Sequence, residues 1–136
     1  MNRDVLKKQL VDHEGLRLKP YKDTVGKLTI GVGRNLDDRG IAEAEAMYLL
    51  ENDIDECVAH LDKALPWWGD LTPARQHVLL DMCFNLGIGR LLGFKNTLRE
   101  VQEGNYDAAA DNMLVSLWAR QVGRRAQRLA TMMREG

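Results

Sequence analysis

The chain has 136 residues, of which 45% are hydrophobic, and its net charge at pH 7 is −1. This length predicts one compact domain with a real core, folded as two lobes. No apolar run reaches the roughly 20 residues that a bilayer crossing needs, and the near-zero charge disfavours a nucleic-acid binder.

The first elements in chain order are a short helix and a β-hairpin. Apolar residues at helical spacing predict a helix over residues 2–12. Two segments of alternating apolar residues then flank the turn sequence T-V-G at residues 24–26, which predicts a hairpin. Glu14 would end the helix, and Asp23 and Thr29 would lie on either side of the turn.

The rest of the chain is predicted to be helical, which gives an α+β, mostly helical fold. A sustained period near 3.6 over residues 42–65 predicts one long helix, and P-W-W-G at residues 66–69 ends it. Thr72 followed by Pro73 is typical of a helix start. That helix, to about residue 86, is apolar nearly all round and should be buried. Three more helices are predicted over residues 94–101, 106–117 and 122–134.

Two carboxylates from different elements, facing one cleft, are the groups that glycosidic bond hydrolysis requires. One must still hold its proton and the other must have lost it. A carboxyl at a helix C-terminus meets the partial negative charge of the last carbonyls, so Glu14 is the candidate acid. Asp23 beside Lys22 should stay ionised as the base, and the Thr29 hydroxyl would hold a water. On spacing alone, the alternative is that Glu14 and Asp23 are a solvated helix end and a plain turn residue.

The run from Glu14 to Gly33, E-G-L-R-L-K-P-Y-K-D-T-V-G-K-L-T-I-G-V-G, resembles the catalytic signature of the phage-type lysozymes. These are the family 24 glycoside hydrolases, which include the T-even phage lysozyme. Their signature is a Glu, eight residues, an Asp, five residues and a Thr, matched here at Glu14, Asp23 and Thr29. The likeness continues through D-M-C-F-N-L-G, G-F-K-N-T-L-R and L-W-A-R-Q-V-G-R-R-A-Q-R.

The resemblance implies a lysozyme-like fold of two lobes joined by the long helix. The N-lobe would span about 13–60 with the hairpin, and the helical C-lobe would span about 61–136 together with the N-terminal helix, 2–12. It also implies an N-acetylmuramidase that hydrolyses the β-1,4 bond between N-acetylmuramic acid and N-acetylglucosamine in bacterial peptidoglycan, with inversion. The implied role is lysis of the host cell by a phage or prophage.

The expected partner is therefore peptidoglycan, with no nucleic acid, no membrane insertion and a monomeric state. The first residues are polar where a signal peptide would be apolar, so we expect synthesis in the host cytoplasm. A holin would then permeabilise the membrane, without direct contact, and the enzyme would act in the periplasm and cell wall. Isolated histidines without metal-ligand spacing predict no metal, and no cofactor is expected. Cys57 and Cys83 lie in apolar helical patterns, as reduced core residues do.

The resemblance assigns further roles residue by residue. Arg125 aligns with an arginine that pairs with the catalytic Glu, and Asn85 aligns with an amide near the same carboxylate. Positions that line the saccharide cleft are matched by Asn35, Phe84, Thr97 and Asn112. Phe84 is equally compatible with a place in the core.

The chain also departs from the family pattern near the hairpin. Arg34 stands where the family has a histidine, and Asp53 aligns with the acidic partner, which predicts an Arg34–Asp53 ion pair. The segment over residues 34–41 is much shorter, so part of the N-lobe sheet should be missing. Ala42 stands where a capping Ser or Thr is expected, which forfeits about 1 kcal/mol unless Asp38 or Gly40 substitutes.

Three other readings remain open. The helix, glycine-rich turn and helix over residues 72–104 are compatible with a helix-turn-helix DNA reader, although the charge argues against it. A saccharide-binding relative without turnover would have no need of an intact Glu14, Asp23 and Thr29. A lytic transglycosylase cleaves the same bond without water, so it would not need Asp23 and Thr29 to activate one.

Overall fold

A computed structural model describes all 136 residues and is α+β and mostly helical, as predicted. The helices are α1 (Arg3–Glu14), α2 (Glu43–Ala64), α3 (Pro73–Leu86), α4 (Ile88–Leu92), α5 (Lys95–Gln102), α6 (Tyr106–Leu114), α7 (Leu117–Val122) and α8 (Arg124–Glu135). The strands are β1 (Arg17–Lys22), β2 (Leu28–Gly31) and β3 (Arg34–Asn35). A 3₁₀-helix at Pro66–Asp70 follows α2. None of the helices combines the length and apolar composition that crossing a membrane requires.

The chain divides into two compact units, Met1–Tyr48 and Leu49–Gly136, and the boundary lies inside α2. This differs from the predicted division, which had a boundary near residue 60 and grouped the N-terminal helix with the helical lobe. The structure instead groups α1 with the sheet. The physical reason is local, because only Gly15 and Leu16 separate α1 from β1.

In the first unit, turns and caps fix the geometry. α1 begins at Asn2, whose Oδ1 accepts the Val5 N–H at 3.1 Å. The three strands form an antiparallel sheet in the order β1-β2-β3, in which Thr29 pairs with Tyr21 on one side and Asn35 on the other. Thr29 is the one buried residue among residues 1–48, so this unit is specified by hydrogen bonds more than by an apolar core.

The second unit holds the apolar core. Its large, fully buried side chains come from α2, α3, α4, α5, α6 and α8. They are Leu61, Val78, Leu79, Met82, Leu91, Val101, Met113 and Met133. The sequence predicted that α3 is buried on all sides. In the structure, α3 contributes only one buried face to this core. The opposite side of α3 carries Phe84, which is 44% exposed, and the partly exposed carboxylate of Asp81.

The helix boundaries differ from the sequence prediction where single residues act as caps. The helix predicted over 106–117 ends at Leu114, and α7 was not predicted; it starts where the Ser116 hydroxyl accepts the Ala119 N–H at 3.1 Å. The short helix α4 was not predicted, since the G-I-G-R-L-L-G segment has the glycine content of a turn. The long helix α2 and the start of α3 at Pro73, capped by Thr72, are as predicted.

Helix α3 holds both ends of α8. Near the start of α8, Arg125 donates from Nε to Asp81 Oδ1 at 2.8 Å. At its end, Arg75 donates to the carbonyl oxygens of Met133 and Arg134, at 2.7 and 3.1 Å, and these carbonyls have no partner within the helix. The guanidinium of Arg75 also stacks on the Tyr106 ring.

The two cysteines are free and buried, as the sequence indicates. Burial, together with the neighbouring Cys57 thiol, raises the pKa of Cys83 to about 12. The Cys83 thiol therefore stays protonated at neutral pH, and a protonated thiol is a poor nucleophile.

Candidate active site

The three residues of the signature all lie in the first unit, at the ends or in the middle of its regular elements. Glu14 is the last residue of α1, Asp23 directly follows β1, and Thr29 lies in β2. The β1–β2 pairing places Lys22 opposite Leu28, so Asp23 opens a turn of five residues.

The Asp23 side chain closes this turn with one of its two oxygens. Its Oδ1 accepts the backbone N–H of Val25 at 3.0 Å and of Lys27 at 2.8 Å. The Asp23 backbone adds hydrogen bonds to the Lys27 carbonyl and the Gly26 N–H, and Gly26 adopts a positive φ of 84°. The carboxylate is therefore held in one orientation while Oδ2 makes no hydrogen bond inside the protein.

Thr29 lies beside the same turn with its hydroxyl already partly used. The residue is 3% exposed, and its Oγ1 donates to the Lys27 carbonyl at 2.9 Å. A hydroxyl has one hydrogen, so toward any water Thr29 can act only as an acceptor. The sequence predicted that Thr29 could hold a water as both donor and acceptor. With this hydrogen bond in place, only the acceptor role remains.

The Glu14 side chain is exposed and reaches the β2–β3 turn, where it lies against the Cα of Gly33. Asn35, predicted to contact saccharide, is instead bound up in the loop that follows β3. Its Nδ2 donates to Asp38 Oδ2 at 3.0 Å, and its Oδ1 accepts the Asp38 N–H at 2.9 Å. Within the first unit, the carboxyl groups of Glu14 and Asp23 are thus left with free oxygens, whereas the Asn35 carboxamide is largely occupied.

Arg34 forms an ion pair with Glu45, whereas the sequence predicted Asp53 as its partner. Arg34 Nη1 lies 2.8 Å from Glu45 Oε1. Glu45 is in the first turn of α2, whereas Asp53 is eight residues further along, about 12 Å of helix rise. The hydrogen bond and charge of Glu45 raise the pKa of Arg34. The hydrogen bonds from Arg34 and from the Ala42 backbone lower the pKa of Glu45.

The same carboxylate explains how α2 starts without a capping side chain at Ala42. Glu45 Oε1 accepts the Ala42 N–H at 2.9 Å, which is the backward half of a capping box. The cap therefore comes from inside the helix, and not from Asp38 or Gly40 as the sequence suggested.

The second unit contains a cavity of about 540 Å³ that brings two predicted saccharide residues together. Thr97 and Asn112 both line it, and neither side chain makes a hydrogen bond inside the protein. Two aromatic rings that were not predicted as site residues, Phe94 and Trp118, line it as well. Their rings pack edge to face, with centroids 6.0 Å apart. Both aromatic residues lie in segments that resemble the family, G-F-K-N-T-L-R and L-W-A-R-Q, so the sequence could have indicated them as site residues.

Asn85 and Arg125 have partners within the second unit that the sequence did not suggest. Asn85 Oδ1 accepts the Trp118 indole N–H at 2.8 Å, so this amide fixes a wall of the cavity. Arg125 was predicted to pair with Glu14, but its guanidinium lies 2.7 Å from Asp81 Oδ1. The physical reason is that α3 and α8 pack together and place Asp81 beside the first turn of α8.

Phe84 is neither in the core nor in the cavity of Thr97 and Asn112. It lines a separate cavity of about 370 Å³, with Leu50, Ile54, His77, Leu80, Asp81 and Arg125. Of the four predicted saccharide residues, two therefore share one cavity, one lines another, and one lies in the first unit.

The family model named "Phage lysozyme" matches residues 11–134, and the chain belongs to this family. Among relatives, it is 26% identical to "Probable T4-type lysozyme 1" of Dictyostelium discoideum, over 96% of this chain and 94% of that protein. It is 34% identical to "Endolysin" of Salmonella phage P22, over 81% of this chain and 77% of the relative. It is 28% identical to "Pre-baseplate central spike protein Gp5" of Enterobacteria phage T4, over 90% of this chain but only 26% of that protein.

Family membership identifies the chain as a lysozyme-type enzyme, which confirms the resemblance seen in the sequence. The chain spans about a quarter of the spike protein but nearly all of the Dictyostelium lysozyme. The alignment with the latter runs over 160 positions, 24 more than the 136 residues of this chain. That relative therefore has segments that are absent here.

Replacing Glu45 tests the Arg34–Glu45 contact and the start of α2. Glu45→Gln keeps an oxygen for the Ala42 N–H but removes the charge facing Arg34, whereas Glu45→Ala removes both. We expect the hydrogen-exchange protection of the Ala42 amide, measured by NMR, to fall in the order wild type, Gln, Ala. Because folding lowers the pKa of Glu45, its carboxylate should stay ionised below the pH at which a free glutamate is protonated, and the protection should be lost only as the pH falls through this lowered pKa.

The control is Glu43→Gln, a neutralised carboxylate in the same first turn without the Arg34 contact. Equal loss of protection in Glu43→Gln and Glu45→Gln would mean that only the helix dipole is involved.

Proposed function

We propose that this chain is a muramidase that hydrolyses the β-1,4 bond between N-acetylmuramic acid and N-acetylglucosamine of bacterial peptidoglycan. Glu14 is the acid that protonates the leaving oxygen, and Asp23 with Thr29 positions and deprotonates water on the opposite face of the sugar. The observation that carries the proposal is the Asp23 turn. One oxygen of this carboxylate is fixed by two N–H donors, and the other is free to accept a proton.

The orientation of the water follows from the Thr29 hydrogen bond. Since the Thr29 hydroxyl donates to Lys27, the water must donate one hydrogen to Oγ1 and the other to Asp23 Oδ2. Its lone pair then points at the anomeric carbon. As the C–O bond forms, one water proton passes to Asp23, while the Glu14 proton goes to the oxygen that leaves. Attack on the face opposite the leaving group inverts the anomeric centre, and such enzymes hold their carboxyls about 6.5–9.5 Å apart.

The cavity of Thr97 and Asn112 has the chemistry of a saccharide subsite. A hydroxyl and a carboxamide with no partner in the protein can bind sugar hydroxyls or N-acetyl groups, and Phe94 and Trp118 supply apolar ring surface. Asn85 would contribute indirectly, because its hydrogen bond sets the Trp118 ring. We assign Thr97 and Asn112 to binding and not to the chemical step, since neither can supply a proton acceptor near neutral pH.

Two other activities would use the same binding surface. A lytic transglycosylase forms an anhydro sugar by internal attack. It therefore needs no base and hydroxyl acceptor, such as Asp23 and Thr29, to orient a water. A saccharide-binding protein without turnover has no use for either carboxyl group. The Asp23–Thr29 arrangement therefore favours hydrolysis over both.

The proposed biological role is lysis of the host cell at the end of a phage or prophage cycle. It rests on family membership and on the endolysin name of the Salmonella phage relative. In this role the enzyme would be made in the host cytoplasm, pass a membrane opened by a holin, and act on the wall.

Replacing the acid tests the proposed chemistry. Glu14→Gln should lower turnover of purified peptidoglycan by 10²–10⁴-fold, because a carboxamide cannot protonate the leaving oxygen. The matched control is Asp12→Asn, an exposed acid two residues earlier in α1, which should keep full activity. Products are read by mass spectrometry. Reducing-end muropeptides are expected from the wild type, and anhydro-muropeptides or no product would refute the muramidase assignment.

Replacing Asp23 separates its chemical role from its structural role. The carboxamide oxygen of Asp23→Asn can accept the same two N–H groups, so stability to urea should change by less than about 0.5 kcal/mol. Turnover should nevertheless fall about 100-fold or more, since an amide cannot take the water proton. Asp23→Ala should lose the turn as well and be less stable by about 1 kcal/mol. Wild-type turnover in Asp23→Asn would exclude Asp23 as the base.

Replacing Asn112 tests the binding cavity. Asn112→Ala should raise KM for soluble glycan fragments about 10-fold with little change in kcat, because it removes a contact made equally in the ground and transition states. Asn105→Ala, an amide outside this cavity, is the control. An unchanged KM for Asn112→Ala would remove this cavity from the binding site.

A further inference from the structure

The two glycines on either side of Val32, Gly31 and Gly33, differ in what surrounds them. Gly31 and Gly33 both have positive φ, 69° and 66°, so any L side chain is strained at either position. A Cβ at Gly31 would meet no atom within 4 Å. A Cβ at Gly33 would lie 2.8 Å from Glu14 Oε2, 3.2 Å from its Cδ and 3.3 Å from its Cγ.

These three distances show that the Glu14 side chain lies along the Gly33 backbone, and not merely with its tip near it. A carbon 2.8 Å from a carboxylate oxygen is inside van der Waals contact, so a side chain at Gly33 and the present position of the Glu14 carboxyl exclude each other. The Glu14 side chain is exposed and has no ion pair or hydrogen bond in the protein that would resist displacement. It would therefore swing into solvent and not unfold the turn.

We propose that Gly33 is a positioning residue for Glu14: the space left by its missing side chain is where the proposed acid lies ready for the leaving oxygen. The inference rests on the proposed function of Glu14. A glutamate at the end of a helix has three rotatable side-chain bonds, and its catalytic value depends on holding one geometry. The Gly33 backbone limits these rotations from one side at a place where no hydrogen bond does so.

The test compares Gly33→Ala with Gly31→Ala, two variants with similar backbone strain. Both should lower the thermal midpoint by similar amounts, read by circular dichroism. Gly33→Ala should lower kcat on soluble peptidoglycan fragments about 100-fold with KM within about threefold of wild type, since only the proton transfer is disturbed. Gly31→Ala should keep kcat within about threefold. Equal kcat in the two variants, or a loss confined to KM, would overturn the proposal.

A second pair covers the case in which alanine prevents folding. Asn tolerates positive φ better than Ala, so Gly33→Asn and Gly31→Asn should fold and show the same contrast in kcat.

A readout independent of activity separates this proposal from the proposed function. In protein with ¹³C-labelled Glu, the wild type and Gly31→Ala should show a nuclear Overhauser contact between the Glu14 Hγ protons and the Gly33 Hα protons. If the wild type shows this contact but makes no reducing-end product, the muramidase assignment fails and the packing claim stands. If the contact is absent in the wild type, the positioning claim fails whatever the activity.

Discussion

The turn closed by Asp23 is the constraint on which the proposed chemistry depends. Two backbone N–H groups, from Val25 and Lys27, hold one carboxylate oxygen. The Lys27 carbonyl accepts a hydrogen bond from the Thr29 hydroxyl, which has only one hydrogen to donate. A single turn therefore orients the base and dictates that its neighbour is an acceptor. The same side chain closes the hairpin and performs the proposed chemistry, one oxygen for each.

Glu14 is held in a different way, by shape and not by hydrogen bonds. Its carboxyl lies against Gly33, so the backbone surface there limits the positions that the side chain can take. The two carboxyl groups are therefore positioned by different kinds of contact within the first unit. The Asp23 carboxylate is fixed by two backbone N–H donors, whereas the Glu14 carboxyl is placed by contact with the Gly33 backbone.

Charged and polar side chains outside the signature mostly serve the fold. Arg34 and Glu45 tie the end of the sheet to the start of α2, and Asp81 ties α3 to α8 through Arg125. Asn85 holds the Trp118 ring that borders the cavity of Thr97 and Asn112. These contacts link residues 11, 44 and 33 positions apart, respectively. The Asn85 contact borders the proposed binding cavity, and the two ion pairs join elements of the fold.

The sequence by itself determined the class of fold, the order of most helices, the hairpin and the spacing of Glu14, Asp23 and Thr29. These follow from local rules, because hydrophobic period, turn residues and caps act within a few positions of the chain. Only the tertiary structure decided that Arg34 pairs with Glu45, that Arg125 pairs with Asp81, and that Phe84 lies apart from Thr97 and Asn112. It also decided that Gly33, and not Gly31, touches the acid. Side-chain partners depend on which faces of distant elements meet, and a linear pattern contains no measure of that distance.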